Sequence, residues 1–152
     1  MARILVIDDH TENRDLLTYL LGYYGHKVSL ASGGAEGVSR ALAELPDLIL
    51  MDIAMPGMDG YTAARLMRAE QSLAGVPLIA ISAGRVSLVT AQQAGFDDFF
   101  QMPIEPEVFI ARIGPYLGGP EAGDARPREP VVASDAGLKP GAQADAGPPG
   151  RG

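Results

Sequence analysis

The sequence predicts an α/β fold: a doubly wound, five-stranded parallel sheet of flavodoxin-like order 2-1-3-4-5, with a disordered C-terminal tail. Short apolar runs of strand length alternate with amphipathic stretches of helical length, which is the pattern of repeated βα units. Two of those runs end abruptly in carboxylates. Arg3-Ile4-Leu5-Val6-Ile7 meets Asp8-Asp9, and Leu48-Ile49-Leu50-Met51 meets Asp52 before the turn-forming Met55-Pro56-Gly57-Met58-Asp59-Gly60. A strand buried on both faces is apolar almost throughout, and open parallel sheets carry their chemistry where such strands end.

The elements follow in order. Arg3–Ile7 reads as the first strand and Glu12–Tyr24 as the first helix, with Leu16, Leu17, Leu20 and Leu21 as its apolar stripe, Thr11 as N-cap and Gly25 as terminator. Lys27–Ala31 is expected as a shorter second strand. Ala35–Glu44 follows as a helix begun through Ser32-Gly33-Gly34, a glycine-rich run without the spacing of a dinucleotide fingerprint. Leu48–Met51 is the third strand, Tyr61–Gln71 the third helix and Pro77–Ile81 the fourth strand. A fourth helix is expected between Ser82 and Gly95. Asp98–Gln101 is the fifth strand, and Pro106, suited to the first helical position, opens a last helix that Pro115 should end or kink near Ile113-Gly114.

With 47% hydrophobic and 20% charged residues over 152 positions, the chain can bury one full-sized core. The net charge of −7 offers no basic patch for nucleic acid. No cysteine is present, which excludes disulfides and thiolate metal sites. The first apolar run breaks at Asp8, too early for a signal-peptide core, and no run reaches transmembrane length, so the expected address is cytoplasmic. Residues 1–117 are read as the folded domain. From Gly118 onward Gly, Pro and Ala dominate, with Val131, Val132 and Leu138 as the few apolar anchors, and residues 118–152 are expected to be a disordered tail.

Three carboxylates delivered to one sheet edge repel one another unless a cation sits among them, so Asp8, Asp9 and Asp52 together ask for a divalent metal. Ser82, ending the fourth apolar run, brings a hydroxyl to the same edge. Asp59 reads as a turn residue, and Asp97 and Asp98 as solvated loop acids. His10 reads as an exposed polar residue at a loop-to-helix junction rather than a ligand, and His26 as an exposed turn residue without a partner. Phe99 and Phe100 must alternate across the fifth strand.

The segment Met51 to Gly60, together with Asp8-Asp9, resembles the receiver domain of two-component response regulators, the CheY-like fold, over roughly Ala2 to Leu117. The resemblance implies that Asp52 accepts a phosphoryl group. It implies that Asp9, Asp52 and the main-chain carbonyl of Ala54 ligate Mg²⁺, and that Asp8 orients the metal's water. Ser82 then contacts the phosphoryl group, and Phe99 is the aromatic switch residue. The resemblance also implies a longer segment between Ser82 and Gly95 than this chain has, so the fourth helix is expected to be short or led in by a tight loop. One family feature is absent: a lysine is expected before the proline that follows the fifth strand, and this chain has Met102-Pro103, a peptide that is usually cis in the family. Met102 has no donor for a phosphoryl oxygen. Gln101, which strand alternation should turn away, and Arg85 are the two candidates to stand in for the lysine.

The leading reading is a stand-alone response regulator. It takes a phosphoryl group from a histidine kinase or histidine phosphotransfer protein and signals to a downstream protein target, with no nucleic acid and no membrane partner. It is not an enzyme beyond its own phosphotransfer and dephosphorylation. The alternative is a receiver-like adaptor whose partner binding does not depend on phosphorylation, with Met102 as the argument. A phosphatase with an aspartate nucleophile is disfavoured, because Ala54 stands where such enzymes place a general acid two residues past the nucleophile.

Overall fold

The computed structural model describes residues 2–84 and 86–117. The predicted tail and Arg85 lie outside the described residues. Residues up to Ile104 hold a five-stranded parallel sheet, β1 (Arg3–Ile7), β2 (Lys27–Ala31), β3 (Leu48–Asp52), β4 (Leu78–Ser82) and β5 (Asp98–Gln101), in the order 2-1-3-4-5. Helices α1 (Thr11–Tyr23), α2 (Gly34–Glu44), α3 (Gly60–Ala69) and α4 (Leu88–Ala94) connect these strands. The segment from Glu105 carries α5 (Pro106–Ile113), which gives way to a 3-10 turn at Gly114–Leu117 where Pro115 withdraws a donor.

Strand alternation divides the core. Leu5, Ile7, Ile49, Met51, Leu78 and Ala80 face one way and pack with Ala41 of α2, Ala63, Ala64 and Met67 of α3, and Ala91 and Ala94 of α4. Their neighbours Ile4, Val6, Leu48, Leu50, Ile79 and Ile81 are equally buried, as is the Leu17, Leu20 and Leu21 face of α1. Every residue of β3 and β4 is buried, which is why both read as unbroken apolar runs. Phe99 packs on the α2–α4 side, while Phe100 is buried independently of that cluster.

Several boundaries differ from the sequence expectation, each for a local reason. Thr11 is the first helical residue of α1 rather than its cap; His10 takes the cap position without a side-chain hydrogen bond. Leu16 stands 43% exposed, outside the buried stripe. The end of α1 follows expectation: Gly25 has φ +89°, its N–H donates to the Gly22 carbonyl and the His26 N–H to that of Leu21. Helix α3 stops at Ala69 because Glu70 turns extended, and a 3-10 turn at Gln71–Leu73 follows. Strand β4 begins after Pro77, which has no N–H but still offers its carbonyl to the Ile49 N–H at 3.0 Å. Helix α4 is short, as expected, and Ser87 caps it by accepting from the Thr90 N–H.

Candidate functional site

Between β1 and β3 the chain reverses its winding: α1 leaves toward one face of the sheet and α2 and α3 cover the other. The crevice at such a switch point lies at the carboxyl ends of the strands. The register pairs Ile7 with Met51 and Asp52 with Ile81, so Asp8, Asp52 and Ser82 emerge side by side. All three are buried, at 2%, 7% and 4% exposure. They line a cleft shared with His10, Tyr61 and Met102.

Asp8 is held in place from several sides. Its Oδ1 accepts from the His10 N–H at 2.8 Å, its Oδ2 from the Asn13 amide at 3.1 Å, and its carbonyl from the Arg14 guanidinium at 2.6 Å. Asp9 is different. Its Oδ1 is buried with no hydrogen-bond partner, which leaves a full anionic lone-pair set facing the cluster. Asp52 accepts only a long bond at its Oδ1, from the Ala54 N–H at 3.3 Å. Burial, and then the Asp8 carboxylate beside it, push the Asp52 carboxyl up to about 6. A buried anion with two anionic neighbours and an unpartnered oxygen is a donor set for a hard divalent cation, so the residues fit Mg²⁺.

Ser82 uses its hydroxyl oxygen to accept from the Gly84 N–H at 3.1 Å, which leaves the O–H as the donor toward the cleft. Its carbonyl accepts from the Met102 N–H at 2.9 Å, tying the end of β4 to the residue after β5. The Met102-Pro103 peptide is cis, as the resemblance implies. Gln101 is exposed and does not line the cleft.

Two residues carry contacts that the sequence reading did not include. His10 is exposed, but it is not detached from the acids: its Nδ1 stands 3.2 Å from Asp8 Oδ1, 3.3 Å from Asp9 Oδ1 and 4.0 Å from Asp52 Oδ2. The hydrogen bond with Asp8, and then the charge of Asp9, hold its pKa above the ordinary histidine value. The signal was its position, since a residue two beyond an aspartate readily folds its N–H back onto that carboxylate. Asp97 is an exposed loop acid, as expected, but its carboxylate is engaged. Its Oδ2 accepts from both the Leu78 N–H at 2.9 Å and the Arg68 guanidinium at 2.8 Å, away from the cleft. Asp59 is the N-cap of α3, accepting from the Thr62 N–H at 2.8 Å, in keeping with a turn role.

Residues 4–114 match the family model of the response regulator receiver domain. Among characterised proteins, the chain is 34% identical to protein PilH of Pseudomonas aeruginosa over 121 residues, covering 78% of this chain and 100% of PilH. It is 37% identical over 114 residues to the response regulator PleD of Caulobacter vibrioides, covering 74% of this chain but only 25% of PleD. Among solved structures it superposes on the receiver domain of the sensor histidine kinase PA1611 of Pseudomonas aeruginosa with TM-score 0.72 and 29% identity, over 78% of this chain and 98% of that one. That structure has a magnesium ion coordinated in its active site cleft. The chemotaxis protein CheY4 of Vibrio cholerae shares the fold at TM-score 0.71 and 23% identity, over 74% of this chain and 96% of that one.

Proposed function

The chain belongs to the response regulator receiver family, and from that premise we propose that Asp52 is the residue that accepts the phosphoryl group, with Asp9, Asp52 and the Ala54 carbonyl as the Mg²⁺ ligands. Receiver domains exchange phosphoryl groups with histidine kinases or phosphotransfer proteins and pass the signal on by protein contacts. What is specific to this chain is which side chains do the work.

The carriage of Asp52 to the cleft as the last residue of the central strand β3 is the observation that carries the reading. One carboxylate oxygen of Asp52 attacks the phosphorus of a phosphohistidine. An O–P bond forms, the P–N bond breaks, and the released imidazole takes a proton. Phosphoryl transfer passes through a loose transition state that asks for alignment and charge neutralisation more than for covalent assistance. Mg²⁺, when bound, neutralises charge on the phosphoryl oxygens. The unpartnered Asp9 oxygen suits a direct ligand, whereas Asp8, with both carboxylate oxygens already accepting, suits the outer role of orienting a metal-bound water. Ser82 is placed to donate its O–H to a phosphoryl oxygen, and Phe99, partly buried on the α2–α4 side, is the switch aromatic.

A second reading rests on Met102. It lines the cleft and provides no cation to the phosphorylated carboxylate, which favours a receiver whose partner binding depends weakly on phosphorylation. Incubation with acetyl phosphate or phosphoramidate plus Mg²⁺, followed by intact-mass measurement, tests the main proposal. One phosphoryl group should add to the wild type and none to Asp52→Asn; an equal gain in the variant removes Asp52 from the role.

A further inference from the structure

Among the described residues, His10 is the one imidazole that lines the cleft. One ligand atom from each of Asp8, Asp9, His10 and Asp52 lies within 4.8 Å of every other. Ligands of a single ion with bonds of about 2.1 Å stand roughly 3–4 Å apart. The separations of His10 Nδ1 from Asp9 Oδ1, 3.3 Å, and from Asp52 Oδ2, 4.0 Å, fall in that range. Asp9 Oδ1 has no hydrogen-bond partner even with the ring this near, so an ion placed there displaces one bond only, that of His10 Nδ1 with Asp8 Oδ1 at 3.2 Å.

We infer that His10 Nδ1 is a metal ligand, and that it makes this acidic site take a first-row transition ion of the Co²⁺, Ni²⁺ and Zn²⁺ class in preference to Mg²⁺. The inference rests on the metal role proposed above for Asp9 and Asp52. Mg²⁺ is hard, holds oxygen ligands and its own waters, and gains nothing from an imidazole. The later ions favour nitrogen and follow a rising affinity order, so Asp9 and Asp52 plus one imidazole discriminate by ligand type. The backbone already holds the ring in place, because the His10 N–H donates to Asp8 Oδ1. The side chain is 58% exposed, so turning the ring onto an ion breaks no core contact.

The test uses the full chain, with Mg²⁺ alone and Co²⁺ alone, in the wild type, His10→Ala and Asp9→Ala. Binding is followed by calorimetry, and Co²⁺ also by its visible absorption and by the paramagnetically shifted imidazole resonance. The wild type should bind Co²⁺ more tightly than Mg²⁺. His10→Ala should lose about tenfold in Co²⁺ affinity, together with the shifted imidazole signal, while its Mg²⁺ affinity stays the same or rises. If Co²⁺ affinity and spectrum are the same in His10→Ala while Asp9→Ala loses both ions, the acidic metal site stands and the His10 inference is overturned. If Asp9→Ala binds both ions as the wild type does, the metal-site proposal itself falls.

Discussion

Gly60, the first residue of α3, lies against the main chain of Asp52: a Cβ on Gly60 would sit 2.6 Å from the Asp52 carbonyl oxygen and 2.7 Å from Ile53 Cα. Neither atom is the far end of a flexible side chain, so nothing nearby can swing aside. The Gly60 N–H also donates to the Ile53 carbonyl at 2.8 Å, which closes the turn onto the end of β3. Gly60 therefore sets the position of the proposed phosphoacceptor through the backbone.

Gly60→Ala should destabilise the domain by roughly 1–3 kcal/mol, the usual cost of forcing atoms into a packed site, and should slow phosphorylation. Gly57 makes the control. It has φ +78° but nothing within 4 Å of an added Cβ, so Gly57→Ala should cost about 1 kcal/mol of left-handed strain and leave Asp52 in place. Urea melts and phosphoramidate labelling of the two variants test this. Equal effects on labelling would show that the Gly60 contact does not position Asp52.

Asp52→Asn should stabilise the metal-free protein at pH 7.5. The Asp52 carboxyl is raised from 3.8 to about 6 in the fold, so the folded state holds its proton more firmly than the unfolded chain does. The penalty for ionising it is thus fully present above pH 6, fades as pH falls through that value, and is gone below about 3.8. Its size is on the order of 2–3 kcal/mol. Melting curves should show the variant's advantage in full at pH 7.5, about a third of it at pH 4.5, and a smaller one at pH 7.5 once the wild type is given saturating Mg²⁺. An advantage that does not change with pH would mean that charge crowding is not its source.

The guanidinium of Arg68 holds together the region where β4 begins. It donates to the carbonyls of Gly95 at 2.8 Å and Val76 at 2.7 Å, more weakly to those of Leu73 and Ala74, and to the Asp97 carboxylate at 2.8 Å. Arg68→Ala should cost on the order of 3 kcal/mol, because several carbonyls lose their donor at once. Arg68→Lys should recover less than half of that, since a single ammonium cannot span the set. Chemical denaturation of both variants provides the measurement, and a lysine that restores full stability would reduce the cluster to one charge pair.

Arg68 also shows what sequence reading reaches and what it misses. Strands β1, β2 and β5 and helix α5 run where their sequence patterns put them, because an apolar run bounded by turn residues, or a proline at a helix start, is a local signal. The acids at the mouths of β1 and β3 were legible for the same reason. The pairing of Asp97 was not, since its partners Arg68 and Leu78 lie 29 and 19 residues away and only the pairing of β4 with β5 and the packing of α3 bring them together. His26 was likewise read as unpartnered, yet its Nδ1 accepts from the Ala2 N–H at 3.2 Å, and burial holds its pKa below the ordinary value. His10 escaped because its backbone, not its residue type, carries the ring to the acids.

Met102 lines the cleft with Asp52 and Ser82, and its N–H is already bound to the Ser82 carbonyl. Its side chain is apolar and has no donor to offer a phosphoryl group. Transfer to Asp52 needs alignment and a cation, and both remain without a lysine. Switching needs something more: the phosphorylated state must gain contacts that the free state lacks. In its proposed role Ser82 would supply one through its O–H. A missing ammonium removes a charge-assisted hydrogen bond of about 1.5–3 kcal/mol, enough to change a population ratio by about tenfold or more. Met102→Lys should therefore lower the Asp52 carboxyl from its raised value and deepen the response to beryllofluoride, read as chemical-shift changes at Phe99 and along α4, relative to the wild type. Labelling by phosphoramidate should proceed in both. If beryllofluoride moves Phe99 and α4 in the wild type as fully as in Met102→Lys, position 102 does not limit the switch, and the adaptor reading loses the observation that favours it.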